Sequence, residues 1–152
     1  MSIKLHSKHI TPYSWRKPCG PSVVSLLTGK SVEAVIEEML NYRRSKPRYT
    51  TEYTYGRDRQ YYADGSTMYL REMLHFIRPF TTRRKPLYAP PGLTIERLAE
   101  AAKQPLVLAT SMHFCVLENG LLSDNQWFRN PVSGLRYRKT RVYYTIPLDR
   151  AA

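Results

Sequence analysis

The run HFCVLENGLLSD at residues 113–124 constrains this chain more than any other stretch. Asn119 and Gly120 tolerate the backbone of a tight two-residue turn, and the apolar runs on either side predict a β-hairpin. Counting outward from such a turn pairs Glu118 with Leu121, Leu117 with Leu122, Val116 with Ser123, Cys115 with Asp124, and His113 with Gln126. Opposed residues share a face of the sheet, as do alternate residues along a strand. His113, Cys115, Leu117, Leu122, Asp124 and Gln126 are therefore expected on one side, with Asn125 on the other. His113 and Asp124 become diagonal neighbours, about 7–8 Å apart at the backbone, close enough for a carboxylate to reach an imidazole nitrogen.

Upstream of the hairpin the periodicity is helical. PSVVSLLT at 21–28 predicts a short buried helix opened by Pro21 and ended by Gly29, with Val23, Val24, Leu26 and Leu27 clustered on one side. Ser31 is placed to cap a second helix whose apolar stripe is Val32, Val35, Ile36, Met39 and Leu40. Ser66 or Thr67 would cap a third, carrying Leu70, Met73, Leu74 and Ile77 up to Pro79, and Thr94 a fourth, running to about Lys103. Between these, TTRRKPLYAPPG reads as a basic, proline-rich connection. PLVLAT at 105–110 predicts a buried strand, and LRYRKTRVYYTIPL one or two terminal strands. Helices first and antiparallel strands afterwards give an α+β domain.

The chain has 152 residues, 42% apolar and 24% charged, which is the size and balance of one globular domain, 1–152. Its 24 Lys and Arg against 12 Asp and Glu give a formal charge of +12, a field that attracts nucleic acid or acidic protein surfaces. No apolar stretch is long enough to span a membrane, and MSIKLHSKHITPYS lacks the apolar centre of a signal peptide, so a cytoplasmic protein with no membrane partner is expected. Cys19 and Cys115 are too few for a disulfide framework and are read as two free thiols. With His6, His9, His75 and His113 they form neither a CxxC pair nor an HExxH helix, and neither a metal nor a cofactor is expected.

From 41 to about 64 the composition changes to a basic, tyrosine-rich segment without aliphatic residues up to Tyr62, read as an exposed insertion or lid. Arg43, Arg44, Tyr49, Tyr53, Tyr55, Arg57 and Arg59 are its candidate binding residues. Tyr and Arg are favoured anchors for protein partners. They also suit single-stranded nucleic acid, ranked lower because no nucleic-acid motif accompanies them. A merely solvated loop ranks level with protein recognition.

Chemistry centres on Cys19, which stands just before the first helix, where the positive end of the helix dipole favours a thiolate. The common face of His113 and Asp124 supplies a base and its orienter: Asp124 fixes the tautomer, His113 takes the thiol proton, and Cys19 attacks a carbonyl carbon. The bland alternative makes Cys19 a small apolar core residue and Asp124 a strand-end residue. Cys115, mid-strand and without a helix terminus behind it, reads as core-facing, and His75 as a helix-interior residue.

KPCGPSVVSLLTGKS followed by PLVLATSMHFCVLENGLLSDN resembles papain-like cysteine peptidases, in particular their compact and phage-encoded members. The resemblance implies a papain-like fold and a cysteine protease, that is, a thiol-dependent hydrolase of peptide or isopeptide bonds. Cys19 would be the nucleophile, His113 the base and Asp124 its orienter, with a protein or peptide substrate. It also implies a small phage protein acting in the host cytoplasm, on a viral or host protein, or packaged in the virion. The family's glutamine before the nucleophile has no counterpart in TPYSWRKP. The oxyanion would be met by the Cys19 backbone N–H together with Ser14, Tyr13 or the Trp15 indole. A catalytically inactive relative that binds a host protein or nucleic acid through its basic surface is the alternative.

Overall fold

In a computed structural model, residues 3–6, 18–46, 65, 67–111, 113–125 and 128–150 are described. The first helix, α1 (Cys19–Thr28), starts two residues earlier than the position of Pro21 suggests, because Pro18 already has the extended backbone of an N-cap. Gly29 ends it in the left-handed conformation, its N–H donating to the Ser25 carbonyl at 2.9 Å. Burial runs from Gly20 to Leu27, all round the helix rather than along one side. The polar residues inside this run are satisfied locally, with the Ser22 hydroxyl donating to the Pro18 carbonyl at 2.7 Å and the Ser25 hydroxyl to the Lys30 carbonyl at 2.5 Å.

Ser31 caps α2 (Val32–Arg44), its hydroxyl accepting from the Ala34 N–H at 3.1 Å. The helix continues past Leu40, so Asn41 to Arg44 belong to it and not to an exposed insertion. The third helix, α3 (Leu70–Phe76), begins after Tyr69 rather than after Ser66 or Thr67. Its third residue, Glu72, reaches back to accept from the Tyr69 N–H at 2.9 Å. A 3₁₀ turn over Arg78–Phe80 follows. Thr94 caps α4 (Ile95–Ala101), accepting from the Arg97 N–H at 3.3 Å.

The strands are β1 (Leu87–Tyr88), β2 (Leu106–Thr110), β3 (His113–Glu118), β4 (Leu121–Ser123), β5 (Asn130–Pro131) and β6 (Tyr144–Pro147). They form one antiparallel sheet in the order β1-β6-β2-β3-β4-β5, with the chain's last strand inserted beside β2. The basic connection therefore contributes an edge strand, β1, whose Leu87 and Tyr88 are exposed. Only the end of LRYRKTRVYYTIPL is strand. Residues 136–139 form a turn instead, closed by Thr140 N–H to the Tyr137 carbonyl at 2.9 Å.

Period-two alternation sorts the sheet between two layers. Val107, Ala109, Phe114, Val116 and Ile146 join one core with α1, α2 and α3. Leu106, Leu108, Cys115, Leu117 and Leu122 join a second with Ile95, Val132, Leu135 and Val142, under α4. The fold is α+β, four helices against a six-stranded antiparallel sheet among the described residues. No helix among them is long and apolar enough to cross a membrane.

Candidate active site

Cys19 is the first residue of α1 and half-buried. Gly20 behind it is required by space: a Cβ there would stand 2.5 Å from the Met68 Cβ, in the segment leading into α3. The Cys-Gly pair thus lets the opening turn of α1 lie against Met68 while the sulfur stays at the helix end.

The hairpin supplies the other half. Asn119 (φ 51°) and Gly120 (φ 73°) take up the two positive-φ positions of the turn. The strands pair Val116 with Ser123, Leu117 with Leu122 and Glu118 with Leu121, as the turn predicts. Asp124 follows directly after β4 and is buried, and its Oδ2 lies 2.7 Å from Nε2 of His113. His113 opens β3 as Cys19 opens α1, α1 packs against β3, and Cys19 lies within electrostatic reach of the imidazole.

These contacts decide the charge of the imidazole. Burial disfavours the imidazolium, but the hydrogen bond that the ring donates to Asp124, with the influence of Cys19 and the charges of both, outweighs it and pushes the His113 pKa up to about 10. His113 therefore holds its proton at neutral pH. Cys115 has the opposite environment, because complete burial drives its thiol well above the ordinary value and leaves it a wall and not a nucleophile.

A cavity of about 290 Å³ opens on the second sheet face, beside the histidine and aspartate. Its floor is buried and made by Ile95, Cys115, Leu122 and Asp124. Thr110, His113, Tyr137 and Thr140 form a more exposed rim. Ile95, Thr110, Tyr137 and Thr140 carry no motif and come from three separate segments, so nothing in the sequence pointed to them.

The remaining candidates fall elsewhere. Arg43, expected on an exposed binding surface, is buried against Glu72, with Nε 2.6 Å from Oε2 and Nη2 2.8 Å from Oε1. It also donates to the Thr67 carbonyl. A guanidinium with such partners is structural. Arg44 is exposed beside Asn41. Tyr13, Ser14, Trp15, Tyr49, Tyr53, Tyr55, Arg57 and Arg59 lie outside the described residues, as do His9 and Gln126. His75 stacks on Tyr42 at 4.1 Å between centroids; burial, then Arg78 and Lys46, lower its pKa. No group of three or more metal-ligating side chains occurs among the described residues. Comparison with protein-family models, curated proteins and solved structures gives no match for this chain.

Proposed function

We propose that the chain is a thiol-dependent hydrolase of peptide or isopeptide bonds, a compact papain-like protein with Cys19, His113 and Asp124 as its catalytic residues. The observation that carries this reading is the imidazole of His113, held by Asp124 at 2.7 Å and within electrostatic reach of Cys19 at the start of α1. With Nε2 engaged by the carboxylate, Nδ1 is the nitrogen left to exchange a proton with the sulfur. The thiolate attacks the carbonyl carbon, and the oxyanion meets the Cys19 backbone N–H, one of the unpaired donors of a helix start. His113 then gives its proton to the leaving amine, and the C–N bond breaks. Water, deprotonated by His113, adds to the thioester and releases the acid and the thiol.

The test is the site-resolved alkylation of Cys19 by iodoacetamide against pH, in the wild type and in His113→Ala. Rapid reaction at neutral and mildly acid pH that collapses in the variant is expected. Slow reaction rising only in alkali and indifferent to His113 overturns the hydrolase reading.

A second reading, an inactive protein that binds an anionic partner, is favoured by the formal charge of +12 and by the exposed Arg136, Arg138, Lys139 and Arg141. Cys19→Ala separates the two: a hydrolase loses turnover with its fold intact, whereas a binder retains its partner.

A further inference from the structure

The cavity beside His113 has a composition that selects what enters it. Its volume, about 290 Å³, is at the bottom of the range for small-molecule sites and suits one large side chain better than a cofactor. Among its lining residues, the acid and the base are Asp124 and His113, and their side chains already engage each other at 2.7 Å. The rest of the floor is Ile95, Leu122 and the un-ionised thiol of Cys115, so a charged side chain would lose its hydration there without an opposite charge to meet. The hydroxyls of Thr110 and Thr140 soften only the rim.

Outside the rim the chemistry changes sign. The segment that supplies Tyr137 and Thr140 reads RYRKTR from Arg136 to Arg141, four cations without an acidic residue among them. All four are exposed, and none has an acidic partner among the described residues. The Arg136 guanidinium lies 5.7 Å from the ring centroid of Tyr137, a rim residue, and that of Arg141 lies 4.7 Å from the Tyr143 centroid. The backbone here is tied down, with Ile95 N–H donating to the Thr140 carbonyl at 3.1 Å and Glu96 N–H to the Arg138 carbonyl at 2.8 Å.

We infer that this recess seats a bulky uncharged side chain of an acidic peptide, close to the bond that Cys19 attacks, with the 136–141 cations holding the peptide's flanking carboxylates. The inference rests on the hydrolase reading and adds the substrate class to it. An apolar recess flanked by cations gives selectivity through shape and a fast encounter through charge.

The experiment is cleavage profiling of a randomised synthetic octapeptide library by mass spectrometry, alongside iodoacetamide labelling of Cys19. The wild type is expected to favour Phe, Tyr, Leu or Met at one position near the cut, with Asp or Glu further out. Thr140→Trp, which fills the recess, should cut kcat/KM for such peptides roughly 10-fold or more and move the preference to small residues. Tyr137→Ala, which opens the rim, should broaden the preference and guards against a folding defect in the first variant. Arg138→Glu with Lys139→Glu should erase the acidic preference, as should high salt. Fast, His113-dependent labelling with no side-chain preference, with a profile unchanged in both pocket variants, or with no cleavage of any peptide overturns this inference and leaves the activated thiol standing. Slow labelling indifferent to His113 overturns the hydrolase reading and this inference with it. Binding of a fluorescent single-stranded oligothymidylate that disappears in the charge-reversed variant, without peptide cleavage, assigns the surface to nucleic acid and also overturns it.

Discussion

Arg43 and Glu72 meet in a doubly hydrogen-bonded pair away from water, Nε to Oε2 at 2.6 Å and Nη2 to Oε1 at 2.8 Å, and so fasten the last turn of α2 to the first turn of α3. The same carboxylate accepts from the Tyr69 N–H, and the same guanidinium donates to the Thr67 carbonyl. Removing one partner strands the other charge in the interior. Glu72→Gln is therefore expected to cost about 3–5 kcal/mol of stability, read from denaturant unfolding. Arg43→Met combined with Glu72→Leu should recover most of that loss, since an apolar pair leaves no stranded charge.

Asp124→Asn tests the orienting role. The amide keeps the shape of the carboxylate but loses its charge, and it can present an N–H to Nε2 in place of an acceptor. On the hydrolase reading, turnover is expected to fall by up to about 10⁴-fold, with unfolding little changed. A variant as active as the wild type would reduce Asp124 to a strand-end residue.

The imidazole's protonation has a definite sign. Its pKa is raised from 6.5 to about 10, so the folded protein holds a proton that the unfolded chain has released within that window. The stability contributed by His113 is complete below pH 6.5 and is lost as pH rises toward 10. Measured in Cys19→Ser, to remove the thiol's own titration, stability should decline through that window. The decline should end below pH 10, since the Cys19 contribution is gone, and should flatten in Cys19→Ser with Asp124→Asn. In the wild type, NMR should find the ring still protonated at pH 8.

Gly20→Ala is expected to destabilise by about 1–3 kcal/mol, as overpacking does. Met68→Ala should fail to rescue it, because the clash at 2.5 Å is with the Cβ that alanine retains. Thermal unfolding of the single and double variants checks both statements.

Iodoacetamide on the native protein should modify Cys19 and spare Cys115, whose burial is complete. Cys115 should become labelled only in denaturant. Peptide mapping before and after unfolding separates the two thiols.

What the sequence made legible follows from how local each signal is. Asn119 and Gly120 leave no slack in the turn, so the register of β3 and β4 and the approach of Asp124 to His113 could be counted off. Ser31 and Thr94 act within one helical turn, and both caps form. The start of α3 lies later than expected because Glu72 meets two demands, one local from the Tyr69 N–H and one distant from Arg43, and the second is set by tertiary packing. Arg43 looked exposed because its neighbours are polar, whereas its partner stands 29 residues away. The cavity was invisible for the same reason: Ile95, Thr110, Tyr137 and Thr140 are joined only by the fold.

Cys19 opens α1 and His113 opens β3, on elements that belong to different layers until α1 docks against the sheet. During synthesis the thiol leaves the ribosome long before the imidazole exists. On the hydrolase reading, the nascent chain carries an ordinary cysteine, and the reactive one comes into being only with the completed fold. Thiol reactivity is then a direct report of maturation.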